Sequence, residues 1–190
     1  MIEPKTTSAP DSWELDGYIS ALADGDMDAM ARLYDAASAG VYAFALSVLK
    51  NKQDAQDVLH DTFVSIYGAA DHYRSVGKPM AWIMTIAKNQ CYKLLRQRRR
   101  MAELSLEDWN DDPMLVTYIP SDNKLLVEYC MKSLSDRERQ IVALHAVSGF
   151  KHREIAALLG VPLPTVLSKY NRAMKKLRVL LEKEGACNDK

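Results

Sequence analysis

The sequence predicts an all-α protein, built as two small helical domains joined by an extended acidic linker. Three observations carry this expectation. Apolar residues recur at three- and four-residue spacing along most of the chain, and no segment needs to be a sheet. Helix starts and breaks are marked by aspartate, serine, glycine and proline at suitable places. Residues 101–122 break the pattern, with Pro113, Pro120, six acidic groups and no basic one. A connection of that length usually has a task of its own or is disordered.

The elements follow in order. Residues 1–11 form a polar tail with two prolines. A first helix runs from Ser12 to Ala23, and Asp24-Gly25-Asp26 ends it and offers an aspartate to cap the next. The second covers Met27–Leu49, with Met30, Leu33, Tyr34, Val41, Phe44, Ala45 and Val48 at helical spacing. After the turn Lys50-Asn51-Lys52, a third covers Gln53–Ala69 and gathers Val58, Leu59, Thr62, Phe63 and Ile66 on one face. A loop spans 70–78. Pro79 then opens a fourth helix to about Arg100, with Ala81, Trp82, Ile86, Ala87 and Leu94 on its apolar side. The domain limits expected are 12–100, a linker at 101–121, and 122–182.

In the second domain, Ser135-Asp136-Arg137-Glu138 reads as a capping box, in which serine and glutamate satisfy each other's backbone N–H groups. The helix it opens precedes the most informative stretch, His152–Lys176. Ile155, Ala156 and Leu159 line a first helix, Gly160 tolerates a positive φ in a tight turn, and Val166 and Tyr170 face inward from a second helix. This is the pattern of a helix-turn-helix. Thr165, Leu167, Ser168, Lys169, Arg172 and Lys175 are the side chains offered to base edges and phosphates of a major groove.

Charge is strongly segregated beneath a net of zero. Residues 1–71 hold four basic and twelve acidic groups, and residues 72–100 hold eight basic and none acidic. Residues 123–190 return to an excess of basic groups, thirteen against seven. Such blocks suggest several electrostatic partners, or one large partner met at several places. On the third helix Asp54, Asp57 and Asp61 share a face beside His60, an acidic ridge suited to a basic partner. On the fourth helix and the loop before it, Tyr73, Arg74, Lys88, Asn89, Lys93, Arg96, Arg98, Arg99 and Arg100 interleave cations with aromatic and polar groups. That mixture suits single-stranded nucleic acid, whose phosphates pair with cations while unstacked bases find aromatic faces.

Other classes are excluded or demoted. No run approaches 18 apolar residues, so no membrane insertion is expected. The start of the chain lacks the basic and apolar segments of a signal peptide. Cys91, Cys130 and Cys187 have no metal-type spacing, which points to the reducing cytoplasm and no disulfide framework. The sequence offers no nucleophile–base pair, no metal set and no glycine-rich phosphate loop, so neither catalytic residues nor a cofactor are expected.

Taken together, DAQDVLHDTFVSIY (54–67), AWIMTIAKNQCYKLLRQRRR (81–100), the acidic linker and LSDRERQIVALHAVSGFKHREIAALLGVPLPTVLSKYNRAMKKLR (134–178) resemble the bacterial extracytoplasmic-function (ECF) sigma factors. These are compact proteins with only the second and fourth conserved sigma regions. The resemblance implies binding to core RNA polymerase, opening of the promoter −10 region by the first domain and reading of the −35 region by the last. Asp54, Asp57, His60 and Asp61 would meet the polymerase clamp helices. The 70–78 loop would capture a flipped base, and the cations after it would lie along melted DNA. The acidic linker would thread the polymerase channel. Family members are often silenced by an anti-sigma protein, which the apolar and acidic faces here could also serve. Several positions depart from the family pattern: His60 for glutamine, Tyr67 for tryptophan, Lys93 for aspartate, Pro164 for glycine and Leu167 for a basic residue. The alternative is a free-standing helix-turn-helix regulator of duplex DNA, which leaves the acidic ridge and linker without a use.

Overall fold

The computed structural model describes residues 12–104 and 129–188, with side chains described over 12–100 and 129–182. Seven helices of eight residues or more lie in that range: α1 (Ser12–Ala23), α2 (Met27–Leu49), α3 (Lys52–Ala69), α4 (Pro79–Leu104), α5 (Asp136–Ala146), α6 (His152–Leu159) and α7 (Leu163–Asn188). A 3₁₀ turn at Ala70–His72 follows α3, and no strand occurs among the described residues. The polar tail and nearly all of the expected acidic linker lie outside the described residues. The first four linker positions belong to α4, which runs past Arg100 to Leu104.

Local chemistry explains most boundaries. Asp26 caps α2 by accepting from the Asp28 N–H at 2.9 Å, and Asn51 caps α3 by accepting from the Asp54 N–H at 3.1 Å. Lys50 closes α2 in the left-handed conformation, φ 56°, with its N–H on the Leu46 carbonyl. The expected capping box at α5 is present, and the Ser135 N–H donates to Glu138 Oε2 at 2.9 Å. Gly160 ends α6 at φ 64°, as the turn of the helix-turn-helix requires.

Helix α2 is the centre of the molecule. It packs against α1, α3 and α4, and also against α5. Leu33, Val41 and Phe44 are fully buried along it. Each such side chain contributes roughly 1.5–3 kcal/mol over leaving it in water.

The two helical units expected from the sequence share one core. Ile141, Leu144, Phe150, Ile155, Leu158 and Val166 belong to the same continuous apolar cluster as the buried residues of α1–α4. A separate, smaller cluster of Leu134, Val142 and Ala173 joins α5 to α7. Helix α5 thus has two apolar faces, Ile141 and Leu144 toward the first cluster and Val142 toward the second. A helix buried on two sides shows only weak amphipathic periodicity, so this docking is hard to foresee from the sequence.

Candidate polymerase and nucleic-acid interfaces

The third helix presents a ridge, with one correction. Asp57, His60 and Asp61 are exposed. Asp54 is not part of that surface: it is only 8% exposed and its carboxylate is paired with the Arg98 guanidinium from α4. It also lies four and eight residues before the buried Val58 and Thr62, on the border of the core face. In its place the ridge continues through Val64 and Tyr67, both more than half exposed. Acids next to uncovered apolar groups suit a protein partner better than bulk solvent does.

Arg98 is the matching correction on α4. It falls seven, eleven and fourteen residues after the buried Cys91, Ala87 and Met84, which puts it on the inner side of the helix. It therefore secures α4 to α3 rather than facing DNA. Asn89, Lys93, Arg96 and Arg100 share the opposite, exposed face. Lys93, Arg96, Arg99 and Arg100 line one shallow depression there with Gln97. Lys88 sits on the flank of the helix and donates through Nζ to the Leu158 carbonyl at 2.8 Å. That carbonyl belongs to the last turn of α6, where a cation is favoured.

The loop before α4 is partly fixed. Arg74 is exposed, but Tyr73 is half-buried against Trp82, with ring centroids 4.7 Å apart, and its hydroxyl donates to the Asp16 carboxylate on α1. Burial and then that bond push the Tyr73 hydroxyl well above its usual pKa, so it stays protonated. Tyr73 thus supports the loop from behind, a correction to its expected place among the base-contacting groups. No local signal in the sequence links Asp16 to a tyrosine 57 residues away.

The helix-turn-helix stands as expected. Val166 and Ala173 are fully buried, while Thr165, Ser168, Arg172 and Lys175 are exposed and Lys169 is half-exposed. Leu167 is 40% exposed. It neighbours Asn171 four residues on, at the edge of the outward face rather than its middle. Two cationic residues of this domain are spent internally. Arg139 is 7% exposed and donates to the carbonyls of Met131 and Leu134, and Lys176 donates to Glu138 Oε2 at 2.7 Å. Where α5 meets the motif, His145 stacks on His152 and Tyr170 meets both rings edge-on, with centroids 4.7–4.9 Å apart. Among the described residues no group of three metal-ligating side chains occurs, and no helix is long and apolar enough to cross a membrane.

Comparison with known proteins agrees with this layout. Residues 33–101 match the model for Sigma-70 region 2, and residues 124–177 match that for Sigma-70, region 4. The ECF RNA polymerase sigma factor SigK of Mycobacterium ulcerans is 25% identical over 176 residues, covering 89% of this chain and 94% of that protein. SigK of Mycobacterium sp. strain KMS is 27% identical over 172 residues, covering 87% and 89%. The chain belongs to the ECF-type RNA polymerase sigma factors. Among solved structures, the sigma factor RpoE of Bartonella quintana, in complex with the anti-sigma factor NepR, superposes with a TM-score of 0.67 at 25% identity, covering 80% of this chain and 95% of that one. This sigma factor binds RNA polymerase and promoter DNA through its region 2 and region 4 domains. Its family consists of transcription initiation factors rather than enzymes.

Proposed function

We propose that the sigma factor divides its work among three surfaces, and that it acts in the cytoplasm where its template lies. The ridge of Asp57, His60 and Asp61, continued by Val64 and Tyr67, docks on the polymerase clamp. Arg74, Lys88, Asn89, Lys93, Arg96, Arg99 and Arg100 follow the −10 strand as it melts. Thr165, Ser168, Lys169, Arg172 and Lys175 contact the −35 duplex, with Leu167 touching a thymine methyl at the rim. Functional boundaries at 12–100 and 122–182 follow from the same division, with the acidic segment between them entering the polymerase channel.

The observation that carries this reading is the separation of charge by helix face. The outward surface of α3 is acidic and partly apolar, while the outward face of α4 is cationic with no acid from residue 72 to 100. One surface suits a basic protein groove and the other suits phosphates. Neither DNA-binding surface need be strong alone, because polymerase holds both on one template and effective concentration supplies the rest. An anti-sigma protein is a further partner of this reading, since the RpoE structure from Bartonella quintana is that of a sigma–anti-sigma complex.

The test is capture of core RNA polymerase by the purified protein, with Asp57→Arg/Asp61→Arg as control. Capture by the unsubstituted protein, lost in the double variant, supports the ridge. Equal capture by both would remove Asp57 and Asp61 from the interface.

A further inference from the structure

Helix α1 holds the loop before α4 at two points. At the start of the loop, the Tyr73 hydroxyl donates to the Asp16 carboxylate. At its end, Ser12 Oγ donates to the Gly77 carbonyl at 2.9 Å. Ser12 and Asp16 are four residues apart, so they share one face of α1, a single turn from each other. That helix is itself anchored, with Leu15, Ile19 and Leu22 buried in the core. Arg74, Ser75 and Val76 lie between the two fixed residues, and all three are exposed. Val76 is 77% exposed although its side chain is apolar. Behind this tip the Tyr73 N–H donates to the Ala70 carbonyl at 3.0 Å, and the Tyr73 ring packs against Trp82. The Ser75 hydroxyl bonds the Tyr73 oxygen. Gly77 takes φ 69°, where a side chain would be strained, as the chain turns toward α4. The match to Sigma-70 region 2 begins at residue 33, so both ties come from a helix outside it.

We propose that Ser12 and Asp16 are positioning residues for the −10 element: without touching DNA, they set which base the Arg74–Val76 tip accepts, by fixing the loop at both ends. The inference rests on the assignment of this loop to the −10 strand above. A tip of three residues held at both ends has few shapes open to it. It therefore rejects a base that does not fit instead of adjusting to it. It also has little freedom left to lose when the right base arrives. Releasing either end adds conformations and lowers the share of the competent one. The preferred base then loses more than its competitors do, so discrimination falls. Asp16 suits the stronger of the two ties, because an ionised acceptor makes a stronger hydrogen bond than a neutral one.

The experiment is run-off transcription by holoenzyme on a promoter selected from a randomised library with the unsubstituted protein. Every single-base variant of its −10 and −35 elements is assayed beside it. Asp16→Ala and Tyr73→Phe should each lower discrimination at the −10 position the loop reads by about fivefold, as loss of a hydrogen bond to a charged group allows. The double variant should be no worse than either single one, because both remove the same tie. Asp16→Asn, whose amide oxygen can still accept from Tyr73, should keep most of the discrimination. Ser12→Ala, at an exposed site, should lower it by about threefold. The −35 profile and capture of core polymerase should not move in any of them. A −10 profile unchanged in Asp16→Ala, or equal losses at −10 and −35, overturns the proposal. If Asp16→Ala does not fold, Ser12→Ala decides by the same two criteria. Arg74→Ala/Val76→Ala separates this failure from a deeper one. A −10 profile altered by that pair but not by Asp16→Ala sinks the positioning role alone. A profile that neither alters removes the loop from the −10 strand, and the proposal falls with it. Failure of the unsubstituted protein to initiate on any library member would sink both together with the promoter-directing role.

Discussion

Replacing Glu138 with glutamine should destabilise the second domain by about 2 kcal/mol at neutral pH. The side chain is 3% exposed and serves two purposes at once. It accepts from the Ser135 N–H at 2.9 Å, closing the cap of α5, and from Lys176 Nζ at 2.7 Å, tying α5 to α7. Burial alone would raise its pKa. The bonds from Lys176 and from the Ser135 backbone and hydroxyl outweigh that and set it at about 2, against an ordinary 4.5. The Lys176 side chain is 45% exposed, so water screens the attraction and the full pKa depression overstates its worth as stability. The hydrogen bonds give the safer figure: one cap bond and one charge-assisted bond, less what glutamine can still supply. Because the folded pKa is depressed, the stabilisation is present above about 4.5 and is lost as pH falls toward about 2. Urea titrations at pH 7, 5 and 3 measure this directly. The gap between wild type and Glu138→Gln should be full at pH 7 and 5 and shrink at pH 3. A gap under about 0.5 kcal/mol at pH 7, or one that stays constant with pH, would refute the argument. Lys176→Met should cost more than Glu138→Gln, since it strands a buried carboxylate rather than removing one.

Four further outcomes follow from the same geometry. Lys93→Ala/Arg96→Ala/Arg100→Ala should lower the slope of log K against log salt for promoter binding by holoenzyme, by roughly 0.7–0.9 for each phosphate left without its cation. Arg98→Ala should leave that slope alone and lower the melting temperature instead, because it uncouples α4 from the buried Asp54. His152 has a lowered pKa, from burial first and the neighbouring His145 second, so its neutral form is the one the fold accommodates. Stability should therefore be full above about 6.5 and fall as pH drops below it, and His152→Phe should flatten the melting temperature between pH 7.5 and 5.5. Leu167→Lys should change base preference at the −35 element in a promoter-variant panel, and an unchanged profile would take Leu167 out of the recognition surface.

Much of this molecule is legible in its sequence because its helices are punctuated by chemistry that acts over four residues or fewer. Asp26, Asn51 and Ser135 cap the helices they precede, and Gly160 takes the positive φ that the motif needs. Val166 and Ala173 are inward and Thr165, Ser168 and Arg172 outward because helical spacing alone separates them. The misplacements are all long-range. Asp54 looks like one more acid on a ridge until Arg98, 44 residues away, turns toward it. Yet Arg98 is readable in part, since its spacing from Met84, Ala87 and Cys91 puts it on the buried stripe. A run of like charges points to composition where periodicity holds the answer. Tyr73 and Lys88 carry no such signal. Their partners, Asp16 and the Leu158 carbonyl, are 57 and 70 residues distant. The same holds for the docking of α5 on α2, because a helix with apolar residues on two faces does not say which neighbour each face will meet. These long-range contacts make the docking of α5 and α6 on α2 and α4 a property of the tertiary fold.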